Sequence, residues 1–293
     1  MIANEEFTQG GQSIRFGWLP ESPFRDERLR QAASMLIDRN LFIDTFYNTQ
    51  AFEKSGLSTP RRWHTVIPVG YDDFWLDPQD AKKFGENYKY YAYNPAEAKK
   101  LVQAATGGKG VDTEFIWTAN GYGAEFNRMA EVLHQMWTST GDFRMKNVNP
   151  DYQSEWRPRF NRNYGQYSGI SMGSAGSGTP DVDGQIIARL HSGDNERTGH
   201  VAEDGKPDQT LEKLIADQRK ELDLKKRQAL IYEIQRYSAK KMYWLMDAGE
   251  ALGFALAWPW LGNWRVYRSW TGGAESVEIE PYYWVDESKK KKA

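Results

Sequence analysis

The sequence contains no cysteine, and this absence removes several classes of function at once. Without a thiol there can be no disulfide, no thiolate nucleophile and no cysteine-ligated metal site. Histidine is also scarce, and the 4 histidines show no spacing typical of metal ligands. We therefore expect no metal site and no cofactor.

Long apolar runs are missing as well. No stretch reaches the roughly 18 apolar residues of a membrane-spanning helix, and residues 1–6 lack the start of a signal peptide. If the protein is exported, its natural start lies outside this chain. The net charge is only −2 and cationic residues are spread along the chain, so we expect no nucleic-acid partner. The run 289–292 is interpreted as a solvated tail.

Aromatic residues are abundant in this sequence. They make up 14% of the chain, with 12 Trp and 16 Tyr. Tyr and Trp combine an apolar body with a polar tip, which suits cores and also pockets for amphipathic ligands. With 40% apolar residues in 293, the chain can bury a substantial core.

Capping signals and apolar spacing predict an α/β arrangement. Residues 29–37 carry an apolar stripe at helical spacing, Asp38 can cap a second helix, and Asn94 starts a third. The same reasoning gives strands at 12–18, 113–118, 143–148 and 167–172, and helices at 126–140, 152–161, 211–222 and 223–241. Residues 55–93 are predicted to be irregular. Alternating strands and helices favour a lobe with some parallel pairing.

Four segments, in order along the chain, resemble motifs of one family. They are 23–32 followed by 37–39 (PFRDERLRQA and IDR), 93–101 (YNPAEAKKL), 180–181 (PD) and 223–235 (DLKKRQALIYEIQ). The family is the family 5 extracellular solute-binding proteins of ABC importers, of the dipeptide, oligopeptide and nickel type. Each segment alone is partly an ordinary helix-capping signal, but four in colinear order over residues 14–265 are specific.

The resemblance implies a fold and a division into domains. The expected fold is α/β, a periplasmic-binding-protein-like lobe (type II, class C) with a mixed sheet flanked by helices, plus hinge strands of the other lobe. Residues 1–20 would form a hinge and first-lobe strand, 21–250 the second ligand-binding lobe, and 251–293 the return to the hinge, ending in the charged tail. The family's first half has no counterpart here, so the chain resembles the C-terminal half.

The resemblance also implies a function without chemistry. Two lobes close on a small solute by hinge bending and deliver it to a membrane permease. The protein would be periplasmic or extracellular, a monomer, and not an enzyme. In peptide-binding members an aspartate near the acidic turn pairs with the ligand's ammonium group, whereas the comparable position here is Gly178. The solute is therefore an oligopeptide or, given the many aromatic residues, oligosaccharide-like.

Candidate ligand-binding residues lie at strand ends and in a Gly/Ser-rich loop predicted at 173–178. Ligands of α/β folds favour the carboxyl ends of strands, and small residues let a backbone approach a ligand closely. The candidates are Trp117, Asn120, Tyr122, Trp156, Arg157, Met172, Gly173, Ser174, Ala175, Ser177, Asp181 and Trp244. For the aromatic candidates, ordinary core packing is the competing interpretation. Asp181 could instead cap the next helix.

A hydrolase is the alternative from another class. Residues 169–173 match the Gly-x-Ser-x-Gly pattern of a nucleophile elbow, with Ser171 as nucleophile and His191 or His200 downstream. That motif requires a strand, a sharp turn and then a helix, whereas a Gly/Ser-rich loop is predicted after Ser171. A pair of carboxylates acting on a glycoside is a second form of this alternative.

Overall fold

The computed structural model describes residues 2–7, 10–174, 181–193, 198–264 and 280–290. The helices in these residues are α1 (Glu27–Met35), α2 (Arg39–Tyr47), α3 (Thr49–Lys54), α4 (Ala81–Phe84), α5 (Pro95–Thr106), α6 (Gly123–Thr138), α7 (Asp183–Leu190), α8 (Gln209–Lys220) and α9 (Leu224–Lys241). Short 3-10 helices lie at Pro23–Arg25, Val69–Phe74, Glu86–Tyr90, Glu280–Tyr282 and Glu287–Lys289, and a π-helix spans Tyr152–Asn161. None of the described helices is long and apolar enough to cross a membrane.

The strands form one five-stranded sheet and three strand pairs. They are β1 (Ile2–Glu6), β2 (Gln12–Phe16), β3 (Arg61–Trp63), β4 (Val111–Ile116), β5 (Phe143–Val148), β6 (Ile170–Ser174), β7 (Trp244–Met246), β8 (Gly249–Ala251), β9 (Gly253–Ala257), β10 (Leu261–Gly262) and β11 (Trp284–Val285). The large sheet has the order β5-β4-β6-β2-β7. The pairs are β1 with β9, β3 with β8, and β10 with β11, all antiparallel.

The large sheet is mixed, as the sequence predicts. Strand β4 runs parallel to β5 and to β6, whereas β2 is antiparallel to both of its neighbours. In the β2–β6 register, Gln12 lies opposite Ser174 and Arg15 opposite Ser171. Consequently the first residue of β2 and the last residues of β4, β5, β6 and β7 share one edge of the sheet.

Helices pack on both faces of this sheet. Side chains alternate between faces along a strand, and β7 shows the result: Leu245 joins one core cluster, while Trp244 and Met246 join another. The first cluster takes most of its helical residues from α1, α2, α5 and α6, together with Phe84 of α4 and Ala239 of α9. The second takes its α-helical residues from α7, α8 and α9. This sandwich buries β2 and β6 on both faces, so burial does not alternate from residue to residue along these two strands.

The helix starts follow the predicted caps. Asp38 accepts a hydrogen bond from the Leu41 amide at 3.0 Å, and Asn94 accepts one from the Glu97 amide at 3.1 Å. Asp26 caps α1 through the Arg28 amide at 2.9 Å, whereas Ser22 caps the short 3-10 turn before it. These side chains satisfy amides that the first helical turn leaves without a partner.

Two local predictions are wrong. Residues 55–93 are not a continuous irregular loop, because they contain β3, α4 and two 3-10 helices. The Gln235 side chain from α9 binds Thr65 and the Leu76 amide there, so a distant helix organises this segment. Gly173 and Ser174 are not in a loop either, because they extend β6 along the buried β2.

Candidate functional site

The candidate site is the sheet edge where β4, β5 and β6 end. The loop after β4, the loop after β5 and Ser174 at the end of β6 converge there, next to Gln12 at the start of β2. In α/β folds, ligands bind outside the carboxyl ends of the strands, at a position where neighbouring loops separate. The fold therefore brings together the predicted residues of three different segments at one edge.

Asn120 joins the loops after β4 and β5. Its Oδ1 accepts hydrogen bonds from Thr118 Oγ1 at 2.8 Å and from the Tyr152 amide at 3.0 Å, and its Nδ2 donates to Asp151 at 2.6 Å. Hydrogen bonds from Ser154 and from Asn120 lower the pKa of Asp151 to about 2. Asn120 is thus exposed at the edge, but its amide is already used to fix the shape of the two loops.

Three aromatic rings form the wall of the edge beside these loops. The Tyr122 ring lies 5.3 Å from that of Tyr152 and 5.6 Å from that of Trp156, in both cases edge to face. Tyr152 and Trp156 stack at 5.7 Å with an interplanar angle of 17°. Trp156 is fully buried, whereas both tyrosines are half-buried. The tyrosines are therefore the aromatic surface open to a ligand, and Trp156 supports them from behind.

The Tyr122 hydroxyl at this wall stays protonated at neutral pH. Burial raises the pKa of Tyr122, and a hydrogen bond with Tyr152 raises it further. A protonated phenol can both donate and accept a hydrogen bond. The wall therefore offers an apolar ring and a neutral polar tip, a combination suited to an amphipathic solute.

Arg15 holds the wall to the sheet. This side chain is fully buried on β2, and its guanidinium lies over the rings of Trp156 at 5.8 Å and Trp244 at 5.4 Å. It donates hydrogen bonds to the Asn161 side chain and, at 3.1 Å, to the Ser174 carbonyl. One buried cation thus connects the π-helix, the end of β6 and the edge strand β7.

Gly173 is required by the close approach of Trp156. A Cβ atom on Gly173 would lie 2.5 Å from two atoms of the indole ring, a distance that side chains do not tolerate. Its neighbour Met172 belongs to the first core cluster, and Ser174 is half-buried at the edge. Of these three predicted contacts, only Ser174 is at the surface. Ala175, Ser177 and Gly178 lie outside the described residues.

Trp117 and Trp244 are core residues in this conformation. Trp117 is 5% exposed and packs on Phe126, and Trp244 is 1% exposed beneath Arg15. The indole N–H groups of Trp117, Trp156 and Trp244 are all buried and have no hydrogen-bond partner among the residues that the structure describes. Of the four aromatic residues predicted to contact a ligand, Tyr122 is accessible, whereas the three tryptophans are buried.

The two charged candidates have different surroundings. Asp181 accepts hydrogen bonds from the Asp183 amide at 2.7 Å and from both terminal nitrogens of Arg227, which lower its pKa. This bidentate pair ties the start of α7 to α9. The N-cap position of α7 is Val182, so Asp181 anchors the residue before the helix and is not its N-cap. Arg157 is exposed on the π-helix, next to Trp156 but facing away from the core.

Three residues of the site escaped the sequence predictions: Arg15, Asp151 and Tyr152. Tyr152 and Trp156 are four residues apart on a predicted helix, a spacing that places two rings on one face. Arg15 follows an apolar residue in a strand that turns out to be buried on both faces, and no local pattern marks that burial. Asp151 precedes a predicted helix and could have been found as its cap.

The serine-hydrolase pattern is not assembled. Ser171 lies inside β6 and is fully buried, and no described histidine hydrogen-bonds its hydroxyl. His191 lies 3.4 Å from Glu212, and His200 stacks on Tyr243. Among the described residues there is also no group of three side chains arranged to hold a metal ion.

Comparison with known proteins places this architecture in a family. The family model for bacterial extracellular solute-binding proteins, family 5 Middle, matches residues 5–197. The chain belongs to this family. No curated protein matches the chain in sequence.

Solved structures share the fold of this family 5 chain. The murein tripeptide binding protein MppA of Escherichia coli matches with a TM-score of 0.61 and 20% identity, over 88% of this chain and 46% of its own. A dipeptide binding protein from Pseudoalteromonas sp. SM9913, in complex with Met-Leu, matches with a TM-score of 0.63 and 16% identity, over 89% and 46%. AgaA from A. tumefaciens R10, in complex with agropinic acid, gives 0.61 and 19%, over 88% and 47%. The chain spans less than half the length of each of them.

Proposed function

We propose that this chain forms one solute-gripping lobe of the substrate-binding component of an ABC importer. The observation that carries the proposal is the family 5 match over residues 5–197, which includes every strand of the candidate edge except β7. Binding requires a shaped wall and accessible polar groups, and the Tyr122–Tyr152 wall with Ser174 supplies both. No bond is made or broken in this function.

A small peptide or peptide-like solute fits the edge better than an oligosaccharide. Sugar recognition by stacking needs exposed aromatic faces, but Trp117, Trp156 and Trp244 are buried. Among the described residues, the edge offers strand-end backbone, Ser174 and the two tyrosines, which can pair with amide groups and cover an apolar side chain. Two of the structures with this fold are described as tripeptide and dipeptide binders, and this supports the same class here.

The division of the chain follows from the same proposal. Residues 1–20 and 251–293 would connect to a first lobe through the β1–β9 pair, and 21–250 would form the second lobe. Closure around the solute would shift a pre-existing equilibrium between open and closed forms. The closed protein would act as a monomer outside the cytoplasm and present the solute to the importer's permease.

The proposal is tested by ligand-dependent melting of the natural polypeptide that contains this chain. A solute that binds only the native state must raise the melting temperature. We expect a shift with some members of a panel of defined di-, tri- and tetrapeptides, and no shift with a matched panel of oligosaccharides. The absence of a shift with every peptide would contradict the proposed solute class.

Paired variants locate the binding surface. Tyr122→Ala should remove the peptide-induced shift, because it deletes the accessible ring of the wall. Tyr164→Ala is the matched control, since Tyr164 is 56% exposed and lies before β6, at the opposite end of that strand. Equal loss of the shift in both variants would place the solute elsewhere. Peptide cleavage that Ser171→Ala abolishes would instead favour the hydrolase.

A further inference from the structure

Three ionisable side chains meet in the interior where β7 leads into β8. His64 Nε2 lies 3.6 Å from Asp247 Oδ1 and 3.8 Å from Glu250 Oε1. The three side chains are 0%, 7% and 6% exposed. His64 Nδ1 accepts a hydrogen bond from the Val69 amide, so its Nε2 is the atom that faces the two carboxyl groups. Both His64 Nε2 and Asp247 Oδ1 are buried, and neither has a hydrogen-bond partner within the described part of the chain.

Charged and titratable groups from three helices surround this cluster. Arg39 and Arg189, from α2 and α7, act electrostatically on His64, and Arg189 also acts on Asp247. Tyr47 of α2 interacts with both carboxyl groups and with Glu125 of α6. The two arginines also donate hydrogen bonds to backbone carbonyls, Arg39 to Ser34 and Arg189 to Val66. Two nearby cations thus favour carboxylate charge at the cluster, while burial opposes it.

The cluster lies at the root of the β1–β9 ribbon. Gly11 is packed directly against it: a Cβ there would lie 3.0 Å from Asp247 Oδ1 and 3.1 Å from His64 Nε2. The Asp247 amide donates to the Gln12 carbonyl at 3.0 Å. Strand β9 begins three residues after Glu250, and β1 ends shortly before Gly11. Gly11 and Glu250, each within a few residues of one strand of the ribbon, therefore lie at the same cluster.

The balance of burial and charge sets the protonation state at neutral pH. Burial raises the pKa of Asp247 well above its ordinary value, and the neighbouring Glu250 raises it further, although Arg189 opposes this shift. Burial and the two arginines lower the pKa of His64 to about 3, so its imidazole is neutral. Asp247 therefore retains a proton at pH values where an exposed aspartate has lost it.

We propose that His64, Asp247 and Glu250 form a proton-binding junction that controls how tightly the β1–β9 ribbon is held to the five-stranded sheet. With the proton in place, one carboxyl group is neutral and the root is compact. Loss of the proton puts two like charges in a buried site, and their repulsion weakens the contact of Gly11 and Gln12 with Asp247. The junction is independent of which solute the protein binds.

The direction of the pH dependence follows from linkage. Because the pKa of Asp247 is higher in the folded state than in the unfolded state, its contribution to stability is fully present below the unfolded pKa. That contribution is lost as the pH rises through the folded pKa. The ribbon should therefore be held more tightly in mildly acidic than in alkaline solution.

Hydrogen–deuterium exchange of the natural polypeptide, followed by mass spectrometry at about pH 5 and about pH 8, tests the junction. After correction for intrinsic exchange, we expect the protection of Ile2–Glu6 and Gly253–Ala257 to fall about tenfold or more at the higher pH. Protection of β4 and β5 should stay constant. Asp247→Asn, which keeps the shape without the charge, should make ribbon protection independent of pH.

Two further variants keep the test decisive. Asp80→Asn is the matched control, because this carboxyl group caps α4, its hydrogen bonds with Lys83 lower its pKa, and asparagine can replace it as a cap, so the variant should behave like the wild type. If Asp247→Asn does not fold, Glu250→Gln removes the second charge of the pair and should reduce the pH dependence. Constant wild-type protection, an unchanged pH dependence in the junction variants, or an equal fall across the whole sheet would overturn the proposal.

Discussion

At the scale of single residues, Arg15 is the side chain on which the candidate site most depends. Arg15→Met should leave the Asn161 amide oxygen and the Ser174 carbonyl without their buried donor. Each such loss costs about 1–3 kcal/mol, so we expect the free energy of unfolding to fall by about 2–6 kcal/mol. Urea denaturation measures this change. Arg15→Lys keeps the charge but loses the planar guanidinium group, so its free energy of unfolding should lie between those of the wild type and Arg15→Met. An Arg15→Met protein as stable as the wild type would show that Arg15 does not organise the wall.

The contact of Gly173 with Trp156 gives a second prediction at this scale. Gly173→Ala should destabilise the protein by about 1–3 kcal/mol, because the added methyl group overlaps the indole ring. Trp156→Phe removes the overlapping atoms, so combining the two changes should cost less than the sum of the single changes. A double-mutant cycle of melting experiments measures this coupling. Strict additivity would mean that the two residues do not compete for the same space.

Residue roles were the part of the site least predictable from sequence. The sequence singled out Trp117, Trp156 and Trp244 because aromatic side chains suit both cores and pockets, and only the packed structure separates these uses. Tyr122 faces outward because Trp156 fills the space behind it. Arg15 carries no local signal, since its burial depends on β7 and the π-helix, which are distant in the chain.

At the scale of elements, capping residues predicted helices accurately because their hydrogen bonds are local. Asn94→Ala should destabilise the protein by about 1 kcal/mol, since the Glu97 amide at the start of α5 loses its acceptor. Asn94→Asp retains an acceptor and serves as the control. Chemical denaturation of both variants measures the difference. An equal loss in the two would indicate that the side-chain cap is not what stabilises the start of α5.

The start of α8, where Asp208 contacts the last turns of α9, gives a prediction for the pH dependence of stability. Asp208 caps α8 and accepts hydrogen bonds from the hydroxyls of Tyr237 and Tyr243. Burial alone would raise the pKa of Asp208, but these hydrogen bonds lower it below its ordinary value. Its stabilising effect is thus present above the unfolded pKa and lost as the pH falls through the folded pKa.

Melting curves from neutral to strongly acidic pH test the role of Asp208. Asp208→Asn should lower the melting temperature at neutral pH and have little further effect in strong acid, where the wild-type carboxyl is protonated. A difference between the two proteins that stays constant down to the lowest pH would contradict this account.

Elements held by distant partners were not predictable. The segment 55–93 contains several prolines and glycines, so the sequence predicts an irregular loop, yet Gln235 from α9 fixes it in place. The extension of β6 through Gly173 and Ser174 has a similar cause. Glycine and serine are typical of loops, but here a small residue is needed beneath Trp156.

At the scale of the whole molecule, alternating strands and helices were enough to predict an α/β lobe with some parallel pairing, and the family resemblance implied the mixed sheet. The strand order and the antiparallel placement of β2 were not predictable from spacing, because they depend on which strands meet after long connections. The resemblance over four colinear segments supplied the family, and the match to residues 5–197 confirms it.

The central claim is that the sheet edge after β4, β5 and β6 holds a small solute without altering it. Native mass spectrometry of the natural polypeptide, incubated with a defined panel of di-, tri- and tetrapeptides, tests the claim most directly. We predict one peptide bound non-covalently per protein, released with its mass unchanged, and lost in Tyr122→Ala but kept in Tyr164→Ala. Recovery of no bound peptide, or of cleaved fragments in place of the intact peptide, would contradict it.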